Sequence, residues 1–481
     1  MATQRETTRA CRESLFNQFA GRIQLNRELD RTLVSYQADK TTPVYRWFKY
    51  REGFTSRLVE YLLQTVHPTP GRLLDPFAGS GAALFGAAAQ GWETYGIELL
   101  PVGHYAMTAR IAAEQVDPER FAATVATLHT VDFATWYDPA HALEHIAITR
   151  GAFTLETERA LTGYVAYCTT RIADEHVRKL ALFAAFCVLE DISFTRKDGQ
   201  YLRWDARSGR SQGKKAFDKG PILSFDQAIQ AKLDQMAYDL RYGTLFHPAA
   251  TPSAPVPQVT PGSCLELLPT VARDSFDLIL TSPPYCNRYD YTRTYALELV
   301  FLGASHADVT QLRQDMLSCT VENKTKVAQM QALYRRCGRE ADFHRIDMVF
   351  QAQAALHEVL TILDSLREAQ QLNNPHIVRM VWNYFYEMCF VVFELARVLA
   401  PGGHVIMVND NVQYAGEEVP VDLILSSMAE AFGLVTERIW MLARGKGNSS
   451  QQMGAHGRAE LRKCVYVWRR LERTENKEPQ N

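Results

Sequence analysis

The chain reads as an α/β protein: a doubly wound, mostly parallel sheet carrying mainly helical insertions. Three observations predict this. A short apolar run, Arg72-Leu73-Leu74, leads into the turn Asp75-Pro76-Phe77-Ala78-Gly79-Ser80-Gly81 and an Ala-rich helix from Ala82 to Gln90. A second strand, Thr94 to Ile97, follows and ends at Glu98, which completes a β-α-β unit. A third apolar run, Phe276 to Leu280, ends in Thr281-Ser282-Pro283-Pro284-Tyr285 and reads as another buried parallel strand.

The remaining elements follow in chain order. Up to about residue 50 the sequence is polar and mixed, closing on Arg46-Trp47-Phe48-Lys49-Tyr50. Phe54, Leu58, Val59, Leu62, Leu63 and Val66 have helical spacing, and Pro68, Pro70 and Gly71 stop that helix. Residues 111–250 read as helices with one loop-like interruption, Ser193 to Gly220, and His247 to Pro261 reads as a proline-rich linker. A polar helical stretch covers residues 303–375. An apolar helix from Met388 to Leu399 then meets Pro401-Gly402-Gly403, and a strand runs from His404 to Val408. A helix through Val421, Leu423, Ile424, Met428 and Phe432 precedes two late strands, Val435 to Leu442 and Lys463 to Trp468. Those two strands flank a polar loop and suit an antiparallel hairpin closing one sheet edge.

The resulting organisation has six parts. Residues 1–110 form an N-terminal segment and the first half of the core, and 111–255 a helical insert that is the candidate target-recognition region. Residues 256–302 hold the core strand with its loop, 303–375 a second helical insert, 376–472 the second half of the core and 473–481 a polar tail.

With 481 residues, 47% hydrophobic and 22% charged, the chain is of ordinary globular composition and long enough for more than one domain. A net charge of -2 does not advertise a polyanion partner, so any nucleic-acid surface must come from segregated cations. Nine scattered cysteines without a C-x-x-C pair fit neither a disulfide framework nor a metal site, and no metal is expected. No signal core and no membrane-length apolar run is seen, so a cytoplasmic location is expected.

Gly79 and Gly81 permit backbone angles and a close ligand approach that side chains would block. The turn has no phosphate-loop lysine, which disfavours a triphosphate. Its Asp75 can meet a cationic or hydroxyl-bearing ligand. Glu98, ending the next strand, stands where an acid accepts hydrogen bonds from ribose hydroxyls, as adenosine-containing cofactors require. A structural turn and a solvated strand end are the bland alternatives.

In the second loop, Pro283 and Pro284 stiffen the backbone and remove N–H donors. The Ser282 hydroxyl and a loop carbonyl can hold both hydrogens of an exocyclic amine, turning its nitrogen toward a methyl sulfonium for in-line attack. Tyr285 can stack on an extruded base. A rigid surface turn is the alternative. Cys286 follows Tyr285 and reads as packed and inert, not as a nucleophile.

These two motifs resemble those of the amino-methylating DNA methyltransferases, which modify cytosine N4 or adenine N6. Asp75 to Gly81 is similar to the family's cofactor motif and Ser282 to Tyr285 to its catalytic motif. Phe54-Thr55-Ser56-Arg57-Leu58 resembles the segment placed near the cofactor carboxylate, and Pro401-Gly402-Gly403-His404 a common core element. The resemblance implies a Rossmann-like seven-stranded methyltransferase sheet, S-adenosylmethionine as cofactor and DNA as partner. A cognate restriction or phage-defence component is implied as the setting.

Serine at the first catalytic position implies cytosine N4. Adenine N6, an RNA base, and a silent nucleic-acid-binding module remain as alternatives, as does a nicotinamide dehydrogenase. The glycine turn precedes the catalytic loop here, the reverse of most cytosine-N4 members. On this reading Ser282, Pro283, Pro284 and Tyr285 are catalytic. Thr55, Asp75, Pro76, Phe77, Ala78, Gly79, Ser80, Gly81 and Glu98 bind cofactor. Arg196, Lys197, Arg203, Lys214 and Lys215, in a basic segment interleaved with Tyr201 and Trp204, are candidates to meet DNA phosphates, with Lys446 as a second candidate near the pocket.

Overall fold

The computed structural model describes residues 9–29, 33–34, 41–50, 53, 55–199, 201–210, 216–246, 254–442 and 461–472. Eight strands form the central sheet: β1 (Ile23–Asn26), β2 (Arg72–Asp75), β3 (Glu93–Glu98), β4 (Gln258–Pro261), β5 (Phe276–Thr281), β6 (Leu399–Asp410), β7 (Leu434–Leu442) and β8 (Lys463–Arg470). Their spatial order is β1-β7-β8-β6-β5-β2-β3-β4. All neighbours are parallel except β8, which runs antiparallel to both β7 and β6.

From β2 the chain moves outward through β3 to β4, then returns to the other side of β2 as β5 and continues to β6. Strand order therefore reverses between β2 and β5. In such sheets the ligand crevice opens at the carboxyl ends of that pair.

Two strands escaped sequence reading. β1 makes the sheet eight-stranded where seven strands were expected; its four residues are too few to show a period. β4 lies inside the stretch read as a linker. It is an edge strand, where a proline is tolerated because no outer N–H partner is required. The helix before β6 ends at Val398, and Pro401-Gly402-Gly403 does not sit ahead of the strand but within it. The register jumps from Phe276↔Leu399 to Leu278↔His404, so the insertion is absorbed as a bulge.

Period-2 alternation divides the strands between two cores. Leu278, Leu280, Ile406, Val408, Val465 and Val467 face the layer of α1 (Ser56–Val66) and α2 (Ala82–Ala88). Ile279, Val405, Met407, Tyr466 and Trp468 face α3 (Ile377–Val398) and α4 (Val421–Ala431). α1 buries Leu58, Val59, Leu62 and Leu63, and Thr55 caps it by accepting from Leu58 N at 3.2 Å. Such a cap contributes about 1 kcal/mol.

The inserts differ. The first builds its own hydrophobic core around Phe121, Leu161, Tyr164, Leu180, Phe186 and Leu233. The second does not stand apart: Tyr334, Phe350 and Leu356 share one core with the sheet and α3. The segment read as a loop from Ser193 also contains a two-stranded hairpin, Thr195–Asp198 with Tyr201–Trp204.

Candidate active site

The tips of β2 and β5 are joined directly: Thr281 Oγ1 donates to Asp75 Oδ1 at 2.7 Å. Beyond this bond the glycine turn and the proline loop diverge to line one cavity of about 380 Å3. Pro76, Phe77, Ala78, Gly79, Ser80 and Glu98 form one wall; Ser282, Pro283, Pro284 and Tyr285 form another. The volume lies in the range of small-molecule and cofactor sites.

The turn needs its glycines. Gly79 and Gly81 have φ of +54° and +82°. A Cβ at Gly79 would meet the Tyr50 ring at 3.1 Å, and one at Gly81 would meet Phe85 at 2.8 Å. Glu98 holds the turn in place: Oε2 accepts from Gly79 N at 2.5 Å and Oε1 from Leu100 N at 2.6 Å. Each carboxylate oxygen keeps a second lone pair for a ligand hydroxyl.

Glu98 and Asp75 are buried, and their hydrogen-bond partners among the described residues are amides and the Thr281 hydroxyl, with no cation paired to either. Burial pushes Glu98 up to about 8, against the pull of the Leu100 and Gly79 amides. Burial likewise pushes Asp75 up to about 7, against the hydrogen bonds from Thr281 and the Phe77 amide. Asp75 sits behind the cavity wall and not in its lining, so it joins the strand tips. Gly81 and Thr55 are also outside the lining; Thr55 is wholly buried, donates to Leu33 O at 2.8 Å and caps α1.

The proline loop is braced from beneath. Tyr414 Oη donates to the Cys286 carbonyl at 2.5 Å, and Asn287 N donates to the Tyr285 carbonyl at 2.7 Å. Ser282 Oγ lies 3.4 Å from Tyr285 Oη. Cys286 is completely buried, outside the cavity lining, and burial raises its thiol well above the ordinary range; it is packed, as the sequence reading expected.

Comparison with known proteins decides the family. The chain is 44% identical over 469 residues to "Type II methyltransferase M.AvaI" of a Nostoc strain and of Anabaena variabilis, covering 95% of this chain and 93% of each relative. It is 37% identical over 453 residues to "Type II methyltransferase M.BsoBI" of Geobacillus stearothermophilus, covering 91% and 88%.

The chain belongs to the amino-methylating type II DNA methyltransferases.

No protein-family model and no solved structure matches it. The methyl donor of this methyltransferase is S-adenosylmethionine. The cavity fits that group: a glycine turn open to close approach, Glu98 with free lone pairs, and two buried acids without a cation beside a site for a positively charged ligand.

The basic segment is only partly free for DNA. Lys197 is buried, ion-paired with Glu298 and 3.6 Å from Glu190, and it lies over the Phe48 and Tyr295 rings, so it is not available to phosphate. Arg203 pairs with Asp198 at 3.0 Å and stays half-exposed, while Arg196 is exposed. Lys214, Lys215 and Lys446 lie outside the described residues. Among the described residues no helix is long and apolar enough to cross a membrane.

Sequence reasoning missed several lining residues. Gly262, Ser263 and Cys264 follow the unrecognised β4; Met316 and Leu317 come from the second insert; Lys463 starts β8 and pairs with Asp410 at 2.8 Å. Asp410 was legible: Asn409-Asp410-Asn411 at a strand end reads as a candidate border of the site or as a turn, and Asn287, Tyr289 and Tyr291 after the proline loop read as pocket lining or a helix cap; all four line the cavity. Met316 and Leu317 carry no motif at all.

Proposed function

We propose that this methyltransferase modifies the N4 amine of cytosine within a specific DNA sequence, acting on a base swung out of the duplex. The observation that carries the reading is the shared cavity. Glu98 and the glycine turn on one side, and Ser282 with its two prolines on the other, border a single space at the strand-order switch.

When bound, S-adenosylmethionine supplies a methyl group already activated by a positive sulfonium. The chain then has to bind, orient and exclude water. Gly79, Ser80, Phe77 and Glu98 hold the donor side. On the acceptor side, Ser282 Oγ and a loop carbonyl take the two amine hydrogens, leaving the nitrogen lone pair directed at the methyl carbon. Tyr285, in the cavity lining, offers its ring to the base. Tyr414, through the Cys286 carbonyl, keeps the loop at one height.

Serine in the first loop position is what favours cytosine N4 over adenine N6. Nucleoside analysis of DNA from cells expressing the chain separates the two: N4-methylcytosine is expected, and N6-methyladenine alone would replace this reading. Ser282→Ala should lower turnover about a hundredfold with cofactor affinity unchanged; undiminished turnover would remove Ser282 from the mechanism. The first insert, with its own core, serves as the target-recognition region in this reading. A restriction nuclease acting on the same sequence is the implied partner, and DNA methylated by this chain should resist it.

A further inference from the structure

The hairpin Thr195–Asp198/Tyr201–Trp204 projects from the first insert, and its turn residue Gly199 lines the active-site cavity. A base held beside Ser282 therefore brings its own strand of DNA past this turn. The hairpin has two distinct faces. Thr195, Lys197, Leu202 and Trp204 are buried, while Arg196, Asp198, Tyr201 and Arg203 point outward. The inner face is bolted down by the Lys197–Glu298 pair, and Glu298 sits in the helix Ala296–Phe301 that follows the catalytic loop.

On the outer face Arg196 is directly opposite Arg203 across the ladder. Like charges at opposed positions destabilise a two-stranded ribbon unless an anion lies between them. Arg203 is partly answered by Asp198 and rests on the Phe217 ring at 4.1 Å. Arg196 is exposed and has no partner among the described residues. Residues 195–219 carry eight Lys and Arg against three Asp, in a chain whose net charge is -2. The rung stands three residues from the turn, about 10 Å at strand spacing. That is the reach from an extruded nucleotide to a neighbouring backbone phosphate.

We infer that the Arg196–Arg203 rung of this hairpin grips a DNA backbone phosphate adjacent to the extruded base, with the turn at Gly199 seated at the mouth of the cavity. The inference rests on the DNA-methylating reading above. The hairpin thus positions the strand on which the chemistry occurs, and the buried Lys197 fastens that grip to the segment behind the catalytic loop.

The test uses the full chain, a fluorescent mixed-sequence DNA duplex and a salt titration of binding, with methyl transfer to plasmid DNA measured in parallel. Arg196→Ala should flatten the dependence of log affinity on log salt by about 0.9, and Arg196→Ala with Arg203→Ala by about twice that. Cofactor affinity measured without DNA should not change. Arg336→Ala, an exposed cation of the second insert, is the control for overall charge and should leave the slope alone. A wild-type slope in the double variant, or an equal loss in Arg336→Ala, overturns the phosphate grip while wild-type methyl transfer stands. Absence of methyl transfer by the wild type would instead remove the catalytic reading and this inference with it.

Discussion

Buried acids are treated in opposite ways in two parts of this molecule. Behind the second insert, Glu387 receives Lys326 Nζ at 2.8 and 2.9 Å, and Ser318 adds two further hydrogen bonds. Nearby, Glu394 is held by Arg397 and Arg339 at 2.5 and 2.7 Å. At the carboxyl edge of the sheet, Glu98 and Asp75 are also buried, but among the described residues they meet only amides and a hydroxyl. A buried carboxylate with a bonded cation is structural. One left without a cation, beside a cavity, is poised for a ligand that brings positive charge. The contrast separates scaffold from site without reference to any motif.

Three experiments break or sharpen that contrast. The largest effect is expected at the scaffold. Lys326→Met leaves Glu387 buried without its cation and should lower unfolding free energy by about 3–5 kcal/mol. Lys326→Met with Glu387→Met should recover only part of it, because the apolar pair removes the lone charge but leaves the buried Ser318 N–H and hydroxyl without their acceptor. Chemical denaturation measures both; a loss under 1 kcal/mol in the single variant would show that the cation is not needed.

An intermediate effect is expected at the site. Glu98→Gln leaves no cation unpaired but turns an NH2 toward either the Gly79 or the Leu100 amide, so stability should fall by about 1–3 kcal/mol, less than at the scaffold. S-adenosylmethionine affinity should fall roughly ten- to a hundredfold, the range for losing hydrogen bonds to a charged acceptor. A calorimetric titration that finds unchanged affinity would place Glu98 outside the cofactor site.

The smallest effect is in pH. Glu98 is pushed up to about 8 and Asp75 to about 7, so part of each is protonated at neutrality. The ionised forms suit a cationic, hydroxyl-bearing ligand. Cofactor affinity should therefore rise several-fold between pH 6.5 and 8.5, with a proton released on binding, roughly as shifts of this size allow. The ligand-free protein should show the opposite trend. These groups bind more protons folded than unfolded between the ordinary carboxylate range and about 8, so their contribution to stability falls as pH rises through that window. Titrations in buffers of different ionisation enthalpy read the proton count; a flat profile would argue against coupling through Glu98.

Legibility in the sequence followed the range of the interaction. Gly79, Gly81, Pro283 and Pro284 act through their own backbones, so their stretches could be read locally. Thr55 was placed near the cofactor, yet it caps α1, a task equally local and chemically indistinguishable in sequence. Lys197 looked like a phosphate contact because its neighbours are basic. Its charge is taken by Glu298, 101 residues away, and no local pattern announces that pairing. β4 was hidden by prolines that an edge strand accepts and a central strand would not.

By itself the sequence determined the fold class, most strands of the sheet and the two loops whose chemistry is written in consecutive residues. These depend on periodicity, chain stiffness and backbone angles, all short-range. The tertiary structure alone decided that both loops open onto one cavity, that Asp75 bonds Thr281 across the switch point, and that Lys197 is scaffold while Arg196 stays exposed. Burial and charge pairing arise only when distant segments meet, and it is burial that turns an ordinary acid or cation into part of the site or part of the frame.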